Sequence, residues 1–121
     1  MPKVLYVENN EICHDLIPRR LTRKRFDCIL ATTRHQAIYS ARIELPDLIL
    51  IGMSLSKQSA WAATKAIKKA EQTKHIPIIA LVTDESFENR EQALKAGCDD
   101  YETRPIQFPR LLEKINRLLS R

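Results

Sequence analysis

The chain has 121 residues, 44% hydrophobic and 29% charged, with a formal net charge of +5 at pH 7. That is the length of one domain and the composition of an ordinary globular protein. No apolar run reaches the roughly 18 residues a membrane span needs, and no signal-peptide pattern precedes Lys3-Val4-Leu5-Tyr6-Val7, so one cytoplasmic domain over 1–121, away from membranes, is expected.

Val4 to Val7 reads as a short apolar strand ending in Glu8-Asn9-Asn10. An Asn there suits a helix N-cap, after which Cys13, Leu16, Ile17 and Leu21 share one helical face. Pro18 interrupts that face. A proline inside a helix costs about 3 kcal/mol unless it falls in the first turn, so a kink near His14 or a late start is expected. The basic run Arg19 to Arg25 suits the negative end of the helix dipole.

Phe26 to Ala31 reads as a second strand with Cys28 and Leu30 inward, and Thr32 or Thr33 caps a helix carrying Ala37, Ile38, Ala41 and Leu45 at helical spacing. Pro46 closes it. Leu48 to Ile51 is then apolar without a break, as in a strand buried on both faces. Gly52 ends that strand. Ser54 to Ser59 is expected to be a loop, and Ala60 to Ala70, rich in alanine and lysine, a helix.

Pro77 opens a second continuous apolar strand, Ile78 to Val82. A loop over Thr83 to Glu85 leads to a polar helix from Ser86 to Ala96, with Gly97 as a natural residue beyond its C-terminus. Asp99 to Thr103 is a brief last strand. Phe108, Leu111, Leu112, Ile115, Leu118 and Leu119 give the clearest amphipathic helix. Five strands alternating with five helices argue for a doubly wound α/β domain: a parallel sheet between two helical layers, joined by right-handed crossovers.

In such a sheet ligands bind beyond the carboxyl ends of the strands. Four stretches carry a resemblance there: Val7-Glu8-Asn9-Asn10, Pro46-Asp47-Leu48-Ile49-Leu50, Ile76-Pro77-Ile78-Ile79-Ala80-Leu81, and Ala96-Gly97-Cys98-Asp99-Asp100-Tyr101 running into Thr103-Arg104-Pro105. Over residues 3 to 119 the chain resembles a response-regulator receiver domain, the CheY-like phosphoacceptor of two-component phosphorelay signalling. The resemblance implies a flavodoxin-like (βα)5 sandwich with strand order 2-1-3-4-5. It also implies an aspartate ending the third strand, acidic residues after the first that help hold Mg²⁺, and a hydroxyl and a lysine ending the fourth and fifth. The metal and lysine offset charge on the phosphoryl group while the carboxylate attacks it.

At nearly every one of those positions this chain differs. The nucleophile position is Gly52, the acidic pair is Glu8-Asn9, the hydroxyl position is Val82 followed by Thr83, and the lysine position is Arg104. Ser56 and Ala60 stand where the loop after the third strand usually has Pro and Gly. Tyr101 keeps the family's aromatic switch position. Ser54 and Thr83 could accept phosphate from another kind of kinase but cannot form an acyl phosphate. Mg²⁺ favours several oxygen ligands in octahedral array, so Mg²⁺ binding is expected to be weak or absent and no cofactor is expected. A direct Glu8–Arg104 ion pair is expected in place of metal and lysine, and the Arg104-Pro105 bond is expected to be cis, as the family's Lys-Pro usually is.

The reading is therefore a stand-alone pseudo-receiver, not an enzyme, acting through contacts with a sensor kinase or another signalling protein. The resemblance places the docking face on Phe87, Arg90, Glu91, Tyr101, Glu102, Gln107 and Arg110. The alternative is a conventional Mg²⁺-dependent phosphoacceptor whose aspartate has been replaced at Gly52, against which Asn9, Val82 and Arg104 all argue. Nucleic-acid binding through Arg19, Arg20, Arg23, Lys24 and Arg25, with Lys65, Lys68 and Lys69, lacks interleaved aromatics for stacking and is not expected. Cys13, Cys28 and Cys98 lack metal-ligand spacing and read as reduced thiols. No metal site is read from His14, His35 and His75.

Overall fold

Leu48–Gly52 (β3) and Ile78–Val82 (β4) are buried at every position, as strands covered by helices on both faces must be. They form the centre of a computed structural model that describes residues 1–8, 16–52, 56–83 and 87–120. Around them run β1 (Lys3–Val7), α1 (Leu16–Arg23), β2 (Asp27–Ala31), α2 (Arg34–Glu44), α3 (Lys57–Lys69), α4 (Phe87–Ala96), β5 (Asp100–Thr103) and α5 (Phe108–Leu119). All strands are parallel, in the order β2-β1-β3-β4-β5. This is the CheY-like, flavodoxin-like order expected from the sequence.

Alternation along the strands divides the core in two. Leu5, Val7, Ile49, Ile51, Ile78, Ala80 and Val82 face one way, onto Ala37 and Ala41 of α2, Ala60, Ala63 and Ile67 of α3, and Ala93 of α4. Val4, Tyr6, Leu48, Leu50, Ile79 and Leu81 face the other, onto Ile17 and Leu21 of α1 and Phe108, Leu111, Ile115 and Leu118 of α5. Each fully buried Leu, Ile or Val contributes roughly 1.5–3 kcal/mol. The alanines matter as much, because they let α2 and α3 lie close to the sheet.

Helix ends follow local chemistry. Thr33 caps α2 by accepting from the Gln36 amide at 3.1 Å, and Ser56 caps α3 by accepting from the Ser59 amide at 3.1 Å. Gly97, with φ +109, follows α4 in the conformation a glycine adopts without strain. Pro18 is the third residue of α1 as described; the alternatives of a kink near His14 or a late start fall on residues outside the described ones.

Three expectations need correction. Lys57 to Ser59 is not loop: the cap on Ser56 starts α3 at Lys57. Leu30 is 48% exposed rather than inward, because β2 is an edge strand with no neighbour beyond it. Leu45 lies outside the core, 52% exposed, because it ends α2 in the left-handed conformation (φ 45), its amide bonded to the Ala41 carbonyl.

Candidate functional site

The parallel register decides which side chains meet beyond the strands. Val7 lies opposite Ile51, Gly52 opposite Leu81, and Val82 opposite Thr103. Glu8, Gly52, Val82 and Arg104 therefore stand in a row along the carboxyl edge of the sheet. Two backbone bonds fix the ends of that row: the Glu8 amide donates to the Ala31 carbonyl at 3.0 Å and the Arg104 amide to the Val82 carbonyl at 2.9 Å.

Glu8 is fully buried, and its Oε2 accepts from Nη2 of Arg104, whose side chain is 24% exposed. A buried carboxylate needs such a partner, since desolvating it alone costs several kcal/mol. The planar guanidinium reaches from the end of β5 past β4 and β3 to the end of β1, tying residues 96 apart in sequence. The expected ion pair is thus present, and the Arg104-Pro105 peptide is cis.

The Glu8 carboxylate also lies over Gly52. A Cβ at residue 52 would sit 2.8 Å from the Glu8 carboxyl carbon, 3.2 Å from Oε1 and closer still to Oε2. The space that a side chain ending β3 would enter is already taken by an acid from β1. Val82, at the end of β4, is buried in the core under α2, α3 and α4 and carries only methyl groups, while Thr83 beside it is exposed. Asn9 and Ser54 lie outside the described residues. Among the described residues no group of three or more His, Cys, Asp or Glu is placed to hold a metal ion.

The second set of expected residues surrounds β5. Tyr101 is half-buried and packs onto the core under α2, α3 and α4. Lys114 of α5 sits 5.4 Å from its ring centroid and donates to its carbonyl at 2.6 Å. Glu102 is only 2% exposed: its Oε1 accepts from Arg110 Nε and its Oε2 lies 3.0 Å from Lys114 Nζ. Glu102 is thus a buried anchor between β5 and α5, not a surface residue of a docking face. Arg90, Gln107 and Arg110 are exposed and Glu91 is half-buried; Phe87 begins α4, and its side chain lies outside the described set.

Lys114, Asp100 and Arg117 belong to the same clasp and were not singled out from the sequence. Asp100 pairs with Arg117 at 2.9 Å and with Lys114 at 3.4 Å. The signal was there: acids at i and i+2 on a strand, followed by Arg110, Lys114 and Arg117 one helical turn apart. Elsewhere burial pushes the Cys98 thiol up to about 12 and, with Asp27 beside it, the Cys28 thiol up to about 11. Both are packing groups at neutral pH.

Comparison with known proteins agrees with this fold. The family model described as "Response regulator receiver domain" matches residues 4–116. The polar-differentiation response regulator DivK of Brucella anthropi is 32% identical over 121 residues, covering 99% of this chain and 98% of its own. The receiver domain of a sensor histidine kinase from Pseudomonas aeruginosa, solved with a magnesium ion coordinated in its active-site cleft, superposes with a TM-score of 0.91 at 28% identity, covering 99% of this chain and 98% of that one. The chemotaxis protein CheY4 of Vibrio cholerae shares the fold, with a TM-score of 0.89 at 22% identity over 98% of each chain. The chain belongs to the response-regulator receiver domains, the modules that take in the signal in two-component systems.

Proposed function

We propose that this receiver domain signals through contact with another protein and takes no phosphoryl group at the end of β3. The observation that carries the reading is the filled space over Gly52: the residue offers no oxygen, and the Glu8 carboxylate, held by Arg104, occupies the volume an aspartate would need. Acyl-phosphate chemistry requires a carboxylate free to attack and a cation to offset the incoming charge. Here the carboxylate belongs to β1 and already neutralises the guanidinium.

The metal reading follows from the same atoms. The Pseudomonas relative holds magnesium in its cleft, and Mg²⁺ prefers carboxylate oxygens with several waters. In this chain Glu8 is fully buried against Arg104, and Val82 adds only methyl groups. Among the described residues this donor set does not fit the ion, and no step in the proposed function passes through it.

The partner is a signalling protein such as a sensor kinase, as the resemblance to DivK and to a kinase-linked receiver suggests. It meets the edge formed by α4, β5 and α5, where Arg90, Glu91, Gln107 and Arg110 surround Tyr101. The clasp of Lys114 on Tyr101 and Glu102 supports this reading, because it gives that edge one fixed shape.

Incubation with acetyl phosphate and Mg²⁺, followed by intact mass measurement, tests the reading. The expected outcome is an unchanged mass. A stable gain of one phosphoryl group, removed by hydroxylamine, would restore the conventional phosphoacceptor reading.

A further inference from the structure

A cavity of about 250 Å³ opens between α1 and the segment joining β5 to α5, walled by Leu16, Ile17, Pro105, Ile106 and Phe108 with the arginines 20 and 104. It lies apart from the row of strand ends except at Arg104. We infer that it binds a small amphipathic monoanion, a carboxylate attached to a single ring or a short chain.

The charge of the cavity selects the class. Among the described residues its walls are apolar apart from two guanidinium groups, and that of Arg104 is neutralised by the buried Glu8 carboxylate. Arg20 is different. Its guanidinium lies 5.6 Å from the Phe108 ring centroid and has no acidic partner among the described residues. Stacking on an aromatic face holds a guanidinium in place while leaving its N–H groups available at the ring's edge. A positive charge with no acidic partner among the described residues, at the rim of an apolar cavity, suits one carboxylate, whose hydrogen bonds to a fixed guanidinium are of the stronger, charge-assisted kind. The apolar walls reject a body as polar as inorganic phosphate or a nucleotide, which would lose its hydration without replacement.

Size narrows the body. Most ligand pockets measure roughly 300–1,000 Å³, so this one takes a ring or a short chain rather than a drug-sized molecule. An occupant would touch Pro105 and Ile106 directly after the Glu8–Arg104 pair. That position would make binding an input to the domain, and it holds whether or not the domain is ever phosphorylated.

The test is an NMR titration of the ¹⁵N-labelled full chain with octanoate, octanamide and inorganic phosphate. Octanoate is expected to move the amide signals of Ile17, Ile106 and Phe108 saturably, octanamide to bind about tenfold more weakly, and phosphate to move none of them. Arg20→Gln is expected to weaken octanoate by about the same factor, while Arg19→Gln, one position away and outside the cavity wall, leaves it unchanged. Equal affinities for octanoate and octanamide, equal losses in the two variants, saturation by phosphate alone, or no saturable shift at those amides would each overturn the inference.

Discussion

The carboxylate of Glu8 lies in the volume that any side chain on Gly52 would occupy. The two residues are complementary in the manner of a large and a small core neighbour: one strand end reaches over, and the other leaves room. Because Glu8 is also the buried partner of Arg104, a change at any of the three positions is felt by the other two.

Gly52→Ala is the smallest intrusion. Glu8 has little room to retreat, being fully buried and held by Arg104, so overpacking of about 1–3 kcal/mol is expected. Urea denaturation checks it. Glu8→Asp withdraws the carboxylate by one methylene, and the double variant should be more stable than the sum of the single losses predicts, by more than about 0.5 kcal/mol. Strict additivity would mean that the two side chains do not compete for space.

Arg104→Ala leaves the Glu8 carboxylate buried without its cation. Breaking one side of a buried pair typically costs about 3–5 kcal/mol, and a loss in the lower part of that range is expected because Arg104 is partly solvent-exposed. Adding Glu8→Gln to that variant should recover part of the loss, since no charge then stays behind. An Arg104→Ala protein with wild-type stability at neutral pH would sink the pairing argument.

Lys114→Met removes the ammonium that bonds the Tyr101 carbonyl and faces Glu102 and Asp100. Glu102 keeps Arg110, so the expected cost is about 1–3 kcal/mol rather than that of a fully orphaned charge. Amide exchange over Asp100 to Thr103 should quicken more than exchange in β1 or β3. Uniform quickening across the sheet would show that the clasp has no local role.

Alkaline titration has a definite sign. The Cys98 thiol is raised in the folded chain from its ordinary 9.0 to about 12 and that of Cys28 from 9.0 to about 11, each chiefly by burial. Below about pH 9 both thiols are protonated in the folded and unfolded chains and favour neither. Above that, the unfolded chain loses these protons first, so stability falls as pH rises toward 11 or 12, by at most about 1.4 kcal/mol per unit for each thiol. Urea midpoints at pH 8 and pH 10 check it, and a Cys28→Ser/Cys98→Ala protein should show a shallower fall. The same burial predicts that both thiols react with a disulfide reagent far more slowly than free cysteine until the chain unfolds.

The sheet was legible because β3 and β4 are apolar at every position and α5 repeats its large residues every three or four. The start of α3 was not, because Gln58 and Ser59 add no apolar side chain to a helical pattern, and only the cap on Ser56 marks it. The end of α2 was misplaced for the opposite reason: Leu45 looks like a core position but takes the left-handed turn a glycine would usually take. At the strand ends residue types pointed to the Glu8–Arg104 pair, since two opposite charges stand where the resemblance implies a metal and a lysine. That Glu8 would lean over Gly52 depends on side-chain direction, which no spacing of letters reveals. Glu102 shows the same limit, a polar residue that burial and two cations turn inward.

The fit of Glu8 over Gly52 bears on sequence change as much as on signalling. An aspartate placed at position 52 by one substitution would meet the Glu8 carboxylate in the same space, so the two positions are free to change only together. Shortening residue 8 first would loosen its hold on Arg104. Either single step carries a packing or pairing cost, so positions 8, 52 and 104 are coupled as one unit in any sequence that keeps this fold.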